Sequence, residues 1–240
     1  MIYLDWEVTM LKDLLNIDGG VISVVGSGGK KTFTENFSKE LKDDLKIGES
    51  ILITTTMGMA IPRGLRWDEI FIPNKIFLKT AHTRKIVYYG NGIDGRKMGP
   101  IESLDGLSNF KYVIINADNS DSKPLKANDD FEPKVLKETD MTVGVIPWGY
   151  LGRFVNGEIV QNENLFKMRF EKDAITKKTY KDIITSPDGL FKGAKGRKVL
   201  LITNVYKTND DFFDFANYIK KHVDMEIIYG DQKEGKYNKL

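Results

Sequence analysis

A β-branched run that stops at a glycine-rich loop is the feature that most constrains the fold of this chain. Residues 21–25 are Val-Ile-Ser-Val-Val, and the loop GSGGKKT, residues 26–32, follows at once. A short continuous apolar run is typical of a strand buried on both faces, as in a parallel sheet. Beyond the loop, apolar residues recur every four positions among charged ones: Phe33, Phe37, Leu41 and Leu45. This stripe indicates an amphipathic helix, so the segment predicts the strand, loop and helix of an α/β fold.

Further apolar runs alternate with helical segments along the rest of the chain. Strands are predicted at residues 50–54, 69–72, 85–89, 112–115, 141–146, 199–203 and 225–229, and further helices at residues 10–15 and 210–222. Such alternation predicts a mostly parallel sheet flanked by helices, with right-handed crossovers. We expect a single three-layer domain over residues 1–230, in which residues 151–196 form a helical elaboration. The polar residues 231–240 are expected to fray as a tail.

The composition of the 240-residue chain excludes several classes of protein. Lys and Arg total 36 against 34 Asp and Glu, and this small excess argues against a nucleic-acid-binding protein. Cysteine is absent, which excludes disulfides, thiolate metal sites and a cysteine nucleophile. With only His82 and His222, a zinc site is not expected, and a metal would be a hard ion such as Mg²⁺. No signal peptide or membrane-spanning run is visible, so we expect a cytoplasmic protein without a membrane partner.

The glycine loop, residues 26–32, has the composition of a phosphate cradle. Its residues are Gly26, Ser27, Gly28, Gly29, Lys30, Lys31 and Thr32. Glycines let backbone N–H groups approach an anion at the positive end of a helix, and a lysine reaches its oxygens. The loop therefore predicts binding of a nucleoside triphosphate (NTP) and an architecture like that of P-loop NTPases.

The glycine loop departs from the full phosphate-loop pattern in either of two registers. If Gly29 and Lys30 form the Gly-Lys pair, Lys31 occupies the position of the metal-binding hydroxyl. If Lys31 and Thr32 form the Lys-Thr pair, Lys30 replaces the preceding glycine. The displaced hydroxyl predicts weak or no Mg²⁺-dependent hydrolysis. A simpler alternative is a glycine turn in which Thr32 caps the helix and Glu35 completes a capping box.

Polar residues after two other predicted strands are candidates for the same site. Thr54, Thr55 and Thr56 end the second strand, where hydroxyls of a parallel sheet can meet a ligand crevice. Threonine is also an ordinary strand residue, so this pattern leaves both interpretations open. Asp118 follows the strand at residues 112–115 and is the candidate catalytic residue and Mg²⁺ ligand, unless it only caps a turn.

Two residues farther along the chain are candidates for contacts with the nucleotide. Lys126 would supply a second, catalytic cation to a polyphosphate, and a solvated surface lysine is the alternative. Asn204 follows the strand at residues 199–203 and would read a nucleobase, or it is a plain loop residue. An Asn-x-x-Asp guanine reader needs Asp where Lys207 stands, which favours ATP over GTP.

Together these segments resemble the YqeC family of accessory proteins for selenium-dependent molybdenum hydroxylases. The resemblance is carried by GSGGKKT after an apolar strand, by TTT at the end of the next strand, and by ADNSDSKPLKANDDFEP at residues 117–133. It spans residues 10–230 and implies a nucleotide-binding α/β domain. It also implies a part in the maturation of such a hydroxylase, with that enzyme or its cofactor-maturation proteins as partners.

The resemblance further implies roles for individual residues. Lys30 and Lys126 would hold phosphate, and Asp118 would hold Mg²⁺ directly or through water. The departures from the family pattern are Lys31 for a hydroxyl residue, Asn116 for Glu, Asn119 for Gly, Phe131 for His and Lys207 for Asp. These departures leave two alternatives to an NTP-binding accessory protein with weak hydrolysis. One is an ATP-dependent ligase or kinase acting on a small anionic substrate, and the other is a binding-only scaffold with a degenerate P-loop.

Overall fold

A computed structural model of the chain describes residues 9–62, 68–71, 84–107 and 109–240. The helices are α1 (Leu11–Leu15), α2 (Lys30–Asp43), α3 (Glu163–Arg169), α4 (Lys177–Thr185) and α5 (Asp210–Lys220). The strands are β1 (Gly20–Gly26), β2 (Ile51–Thr55), β3 (Met59–Ala60), β4 (Glu69–Phe71), β5 (Ile86–Tyr89), β6 (Ile93–Asp94), β7 (Lys97–Met98), β8 (Tyr112–Asn116), β9 (Leu125–Lys126), β10 (Met141–Pro147), β11 (Val160–Gln161), β12 (Arg197–Thr203), β13 (Glu226–Asp231) and β14 (Lys236–Lys239). Every predicted helix and strand is present, although Ile72 and His82 lie outside the described residues.

The strand before the glycine loop lies at the centre of a nine-stranded sheet with the order β14-β13-β12-β10-β1-β8-β2-β5-β4. All neighbouring strands in this sheet are parallel except β13 and β14. The predicted α/β fold with a mostly parallel sheet is therefore confirmed. Because parallel strands end at one edge of the sheet, the loops after β8, β1, β10 and β12 lie side by side there.

Alternate residues of the strands pack into two apolar layers, one on each face of the sheet. Val24 of β1 packs on one face with Phe33 and Phe37 of α2, and α1 covers the same layer. Val25 belongs to the opposite layer. That layer includes residues of α3, α4 and α5: Phe166, Tyr180, Phe212 and Phe215. The sheet thus lies between two layers of helices, which is the predicted three-layer arrangement.

Residues 151–196 add two short helices to the second face of the sheet. They include β11, α3 and α4. Phe166 of α3 and Tyr180 of α4 are fully buried in the apolar layer of that face. The helical elaboration therefore shares its core with the sheet. None of the helices in the described part of the chain combines the length and the apolar character needed to cross a membrane.

The C-terminal residues correct one expectation from the sequence. Residues 231–240 do not fray, because β14 pairs antiparallel with β13 at the edge of the sheet. The Tyr237 side chain is fully buried, and its hydroxyl accepts a hydrogen bond from Asn36 Nδ2 at 3.2 Å. The prediction of a polar tail is wrong because a single buried ring and the pairing with β13 order a segment that has almost no apolar pattern of its own.

Candidate functional site

The glycine loop joins the end of β1 to the start of α2, at the middle of the sheet edge. Gly26, Gly28 and Gly29 have φ angles of +94°, +66° and +141°, a region that residues with a side chain rarely adopt. A Cβ atom at Gly28 would lie only 2.4 Å from Cγ of Pro147. The loop conformation therefore depends on glycine at these positions.

The backbone of the glycine loop presents consecutive free donors. Within the described residues, the N–H groups from Gly28 to Thr32 donate to no protein acceptor. Gly29 is the N-cap of α2, and no side chain caps this helix end. The alternative in which Thr32 caps the helix is wrong, because α2 begins at Lys30 and Thr32 already lies in its first turn. Free N–H groups at the positive end of a helix form a binding surface for an anion.

Neighbouring strands hold the glycine loop in this shape. The N–H of Gly26 donates to Asp118 Oδ2 at 2.7 Å, which ties the loop to the segment after β8. On the other side, Thr203 Oγ1 at the end of β12 donates to the carbonyl oxygen of Gly28 at 2.6 Å. The loop is thus anchored on both sides by the neighbouring strands.

Lys30 lies inside the glycine loop rather than on its surface. Its side chain is buried, and its ammonium group donates to the carbonyl oxygen of Gly26 and, at 3.3 Å, to Ser120 Oγ. Burial lowers the pKa of Lys30 to about 8, against a partial opposing effect of the Asp118 carboxylate. The result is a cation that water solvates poorly and that an anion would stabilise.

The remaining polar residues of the loop have different surroundings. The Lys31 side chain is 61% exposed, and its ammonium lies 3.9 Å from Glu35 Oε1. Ser27 Oγ donates to the carbonyl oxygen of Pro124 at 2.7 Å. Thr32 lines the cavity in front of the loop. Of the two lysines, only Lys30 is enclosed by the loop.

Behind the loop, Asp118 and Lys126 belong to a buried charge cluster. Lys126 Nζ donates to Asp118 Oδ1, to Glu132 Oε2 and to the carbonyl oxygen of Asn119. The side chains of Asp118, Lys126 and Glu132 are 1%, 5% and 7% exposed. Burial raises the pKa of Glu132, although Lys126 partly opposes this effect. All three protons of the Lys126 ammonium therefore have protein acceptors, and Lys126 does not line the cavity in front of the loop.

The hydroxyls of the threonine triplet point to the backbone or the interior rather than to this cavity. Thr55 Oγ1 donates to the carbonyl oxygen of Asn116 at 2.9 Å, and Thr56 Oγ1 donates to that of Lys134 at 2.7 Å. Thr54 is fully buried, and its hydroxyl has no hydrogen-bond partner among the described residues. None of the three lines the cavity at the glycine loop.

A cavity of about 420 Å³ opens in front of the glycine loop. One wall carries the loop and the start of α2, together with Asn116, Asp118 and Ser120. The described lining also includes the apolar or aromatic residues Met59, Ala60, Pro62 and Tyr88. This volume is in the range of small-molecule sites. Within the described residues, no group of three or more His, Asp or Glu side chains is arranged to hold a metal ion.

The sequence assigned no role to several residues around the loop. Glu132 matches the family pattern, yet only the structure shows that it neutralises Lys126. Ser120 contacts Lys30, and Thr203 contacts Gly28, without any spacing rule that would predict either contact. A sequence signal existed only for Glu132, in the Glu-Pro pair at residues 132–133.

Comparison with known proteins places this geometry in a family. The family model described as "YqeC protein" matches residues 22–164, more than half of the chain. This chain belongs to the YqeC family. The matched region contains the glycine loop, the threonine triplet and the Asp118–Lys126–Glu132 cluster, whereas Asn204 lies beyond it. Family membership, first suggested by GSGGKKT and the segment at residues 117–133, is therefore confirmed.

One curated YqeC relative supports the assignment. The "Uncharacterized protein YqeC" of Escherichia coli (strain K12) is 29% identical over 154 residues, which cover 61% of this chain and 59% of the relative. The match thus spans less than two thirds of that relative. No solved structure matches this YqeC-family chain.

Proposed function

We propose that this YqeC-family chain binds a nucleoside triphosphate, with the phosphates held by the glycine loop. The observation that carries the proposal is the run of free N–H groups from Gly28 to Thr32 around the buried ammonium of Lys30. Backbone donors and one desolvated cation are the groups that a polyphosphate needs. The cavity beyond them has room for more than an inorganic anion.

The same site favours binding over hydrolysis. Because Lys30 is the enclosed lysine, it corresponds to the lysine of the Gly-Lys pair. The next position, where the phosphate-loop pattern has a metal-binding hydroxyl, is then occupied by the exposed Lys31. Asp118 is almost completely buried, and both of its oxygens accept hydrogen bonds, from Gly26 and from Lys126. These residues do not fit a tightly held Mg²⁺, and we derive no metal-dependent step. This arrangement favours the binding-only scaffold among the alternatives.

Thermal unfolding with ATP, GTP and inorganic tripolyphosphate, each with Mg²⁺ or with EDTA, tests the proposal. A ligand at 100 times its Kd adds about 2.7 kcal/mol to the free energy of unfolding. That raises the melting temperature by roughly 5–10 °C for a chain of this size. We expect this increase with ATP and with tripolyphosphate, and we expect EDTA to leave it largely unchanged. The absence of any shift would contradict nucleotide binding, and a shift that requires Mg²⁺ would contradict the metal-free site.

The pH dependence of ATP affinity follows from the lowered pKa of Lys30. In the free protein Lys30 loses its proton near pH 8, whereas bound phosphate favours the ammonium form and raises its pKa. Binding above pH 8 must therefore take up a proton, and the affinity should fall up to about tenfold per pH unit. Isothermal titration between pH 7 and 9.5 measures this. An affinity that is constant over that range would contradict the role of Lys30.

The partner in this proposal comes from the family resemblance. A molybdenum hydroxylase or its cofactor-maturation proteins would receive or recognise the nucleotide-bound chain. The test is co-purification of candidate hydroxylase subunits with the tagged chain, with and without ATP. We expect the hydroxylase subunits to co-purify only when ATP is present. Co-purification that does not depend on ATP would show that partner binding does not require an occupied nucleotide site.

A further inference from the structure

A second cavity lies beside the glycine loop, past the ends of β10 and β12. It has a volume of about 660 Å³. We name it the aromatic groove after its lining, which combines rings with cationic and amide groups: Trp148, Tyr150, Arg153, Asn204, Tyr206 and Lys207. Within its described lining there is no carboxylate.

The aromatic groove begins beside two residues that contact the glycine loop, Pro147 and Thr203. Trp148 directly follows Pro147, whose ring is the nearest neighbour of a Cβ placed on Gly28. Asn204 directly follows Thr203, whose hydroxyl donates to Gly28 at 2.6 Å. The N–H of Trp148 also donates to the carbonyl oxygen of Thr203, at 2.8 Å. When one part of a ligand is held by the loop, an adjoining part of the same ligand can therefore reach the groove.

The groups of the groove are available for a ligand. In the described part of the chain, the side chains of Asn204, Arg153 and Lys207 form no hydrogen bond or ion pair with protein. Tyr206 is 55% exposed, and Lys233 Nζ lies 6.0 Å from the centroid of its ring, which leaves the opposite face for a ligand. Asn204 has a φ of +62°, a left-handed conformation that asparagine tolerates better than most residues. An exposed ring beside unpaired donors suits a flat heterocycle with polar edges.

We infer that the aromatic groove holds the base and ribose of the nucleotide whose phosphates lie on the glycine loop. This inference rests on the proposed function and extends it to the other half of the ligand. Tyr206 supplies a stacking face, and Asn204 supplies one donor and one acceptor to the edge of the base. Because the described lining lacks a carboxylate to accept the N–H groups of guanine, stacking dominates over edge recognition. The site therefore discriminates little between ATP and GTP.

The test compares ATP with tripolyphosphate, which has no base, in wild type, Tyr206→Ala and Tyr206→Phe. Loss of one stacking ring weakens ATP binding about tenfold. We expect Tyr206→Ala to weaken ATP binding by this factor and to leave the affinity for tripolyphosphate unchanged. Tyr206→Phe should keep both affinities. Asn204→Gly, which preserves the left-handed backbone, provides a second variant and should weaken the binding of ATP but not that of tripolyphosphate. Wild type should bind ATP and GTP within about tenfold of each other.

Each failure has a separate meaning. If wild type does not bind tripolyphosphate, the phosphate site of the proposed function is wrong, and the inference is overturned with it. If wild type binds both ligands and Tyr206→Ala changes neither, the base does not lie in the aromatic groove. Ala60→Trp fills the cavity in front of the loop and tests the competing location. Selective loss of ATP binding in Ala60→Trp, with Tyr206→Ala unaffected, would place the base in that cavity instead.

Discussion

Lys30→Met is expected to abolish nucleotide binding and, at the same time, to raise the thermal stability of the free protein. Burial lowers the pKa of Lys30 from 10.5 to about 8, so holding the ammonium there at neutral pH costs of the order of 3 kcal/mol. Methionine fills similar space without a charge. After allowance for the hydrogen bonds lost at Gly26 and Ser120, the melting temperature should rise by several degrees, at roughly 2–4 °C per kcal/mol.

The pH dependence of this stabilisation provides a further check. In the unfolded chain Lys30 keeps its proton up to pH 10.5, whereas in the folded protein it loses the proton above about pH 8. The wild type therefore gains stability between pH 8 and 10.5, and the advantage of Lys30→Met should shrink over that range. Lys31→Met is the matched control, because its side chain is 61% exposed, and it should leave the melting temperature unchanged. A Lys30→Met protein that melts lower than wild type at pH 7, or that still binds ATP, would contradict this account.

Lys126→Met should have the largest effect on stability of any single lysine substitution near the site. It leaves the carboxylates of Asp118 and Glu132 buried without their cation. Removing one partner of a buried ion pair typically costs about 3–5 kcal/mol. The melting temperature should therefore fall by roughly 6–20 °C at neutral pH. Differential scanning calorimetry measures the change.

Two comparisons separate the charge cluster from other causes of instability. The double variant Lys126→Met, Glu132→Gln removes one of the unpaired charges and should recover part of the lost stability. Lys123→Met changes a nearby, partly exposed lysine and should have little effect. Lys126 opposes the rise in the pKa of Glu132 that burial causes, so without Lys126 this carboxyl should be protonated more readily, and the defect should shrink as the pH is lowered. If Lys126→Met instead melts like wild type and loses tripolyphosphate binding, Lys126 is a phosphate ligand, as the family resemblance implies.

The fold was largely predictable from the sequence because its signals are local. The β-branched run at residues 21–25 becomes β1, and the stripe from Phe33 to Leu41 becomes the buried face of α2. Strands buried on both faces need continuous apolar residues, and such runs can be recognised in the sequence. β14 was missed because it lacks such a local signal. Its order comes from Tyr237 and from pairing with β13, and neither leaves a pattern in the local sequence.

The candidate site was predictable in its composition but not in its contacts. Glycines and lysines at residues 26–32 predicted a phosphate cradle, and the N–H groups from Gly28 to Thr32 have no acceptor among the described residues, as such a cradle would require. The sequence left two registers open for the lysine. Only the packing around the loop encloses Lys30 and exposes Lys31, since the direction of each side chain depends on where α2 begins.

What the sequence by itself determined is the α/β class, the position of the glycine loop and membership of the YqeC family. Periodicity and glycine act within a few residues, so they can be recognised in one dimension. Tertiary structure alone decided that Lys126 is neutralised by Asp118 and Glu132, and that Thr203 braces Gly28. These contacts join strands that are distant in sequence, and their energies depend on burial, which no local pattern contains.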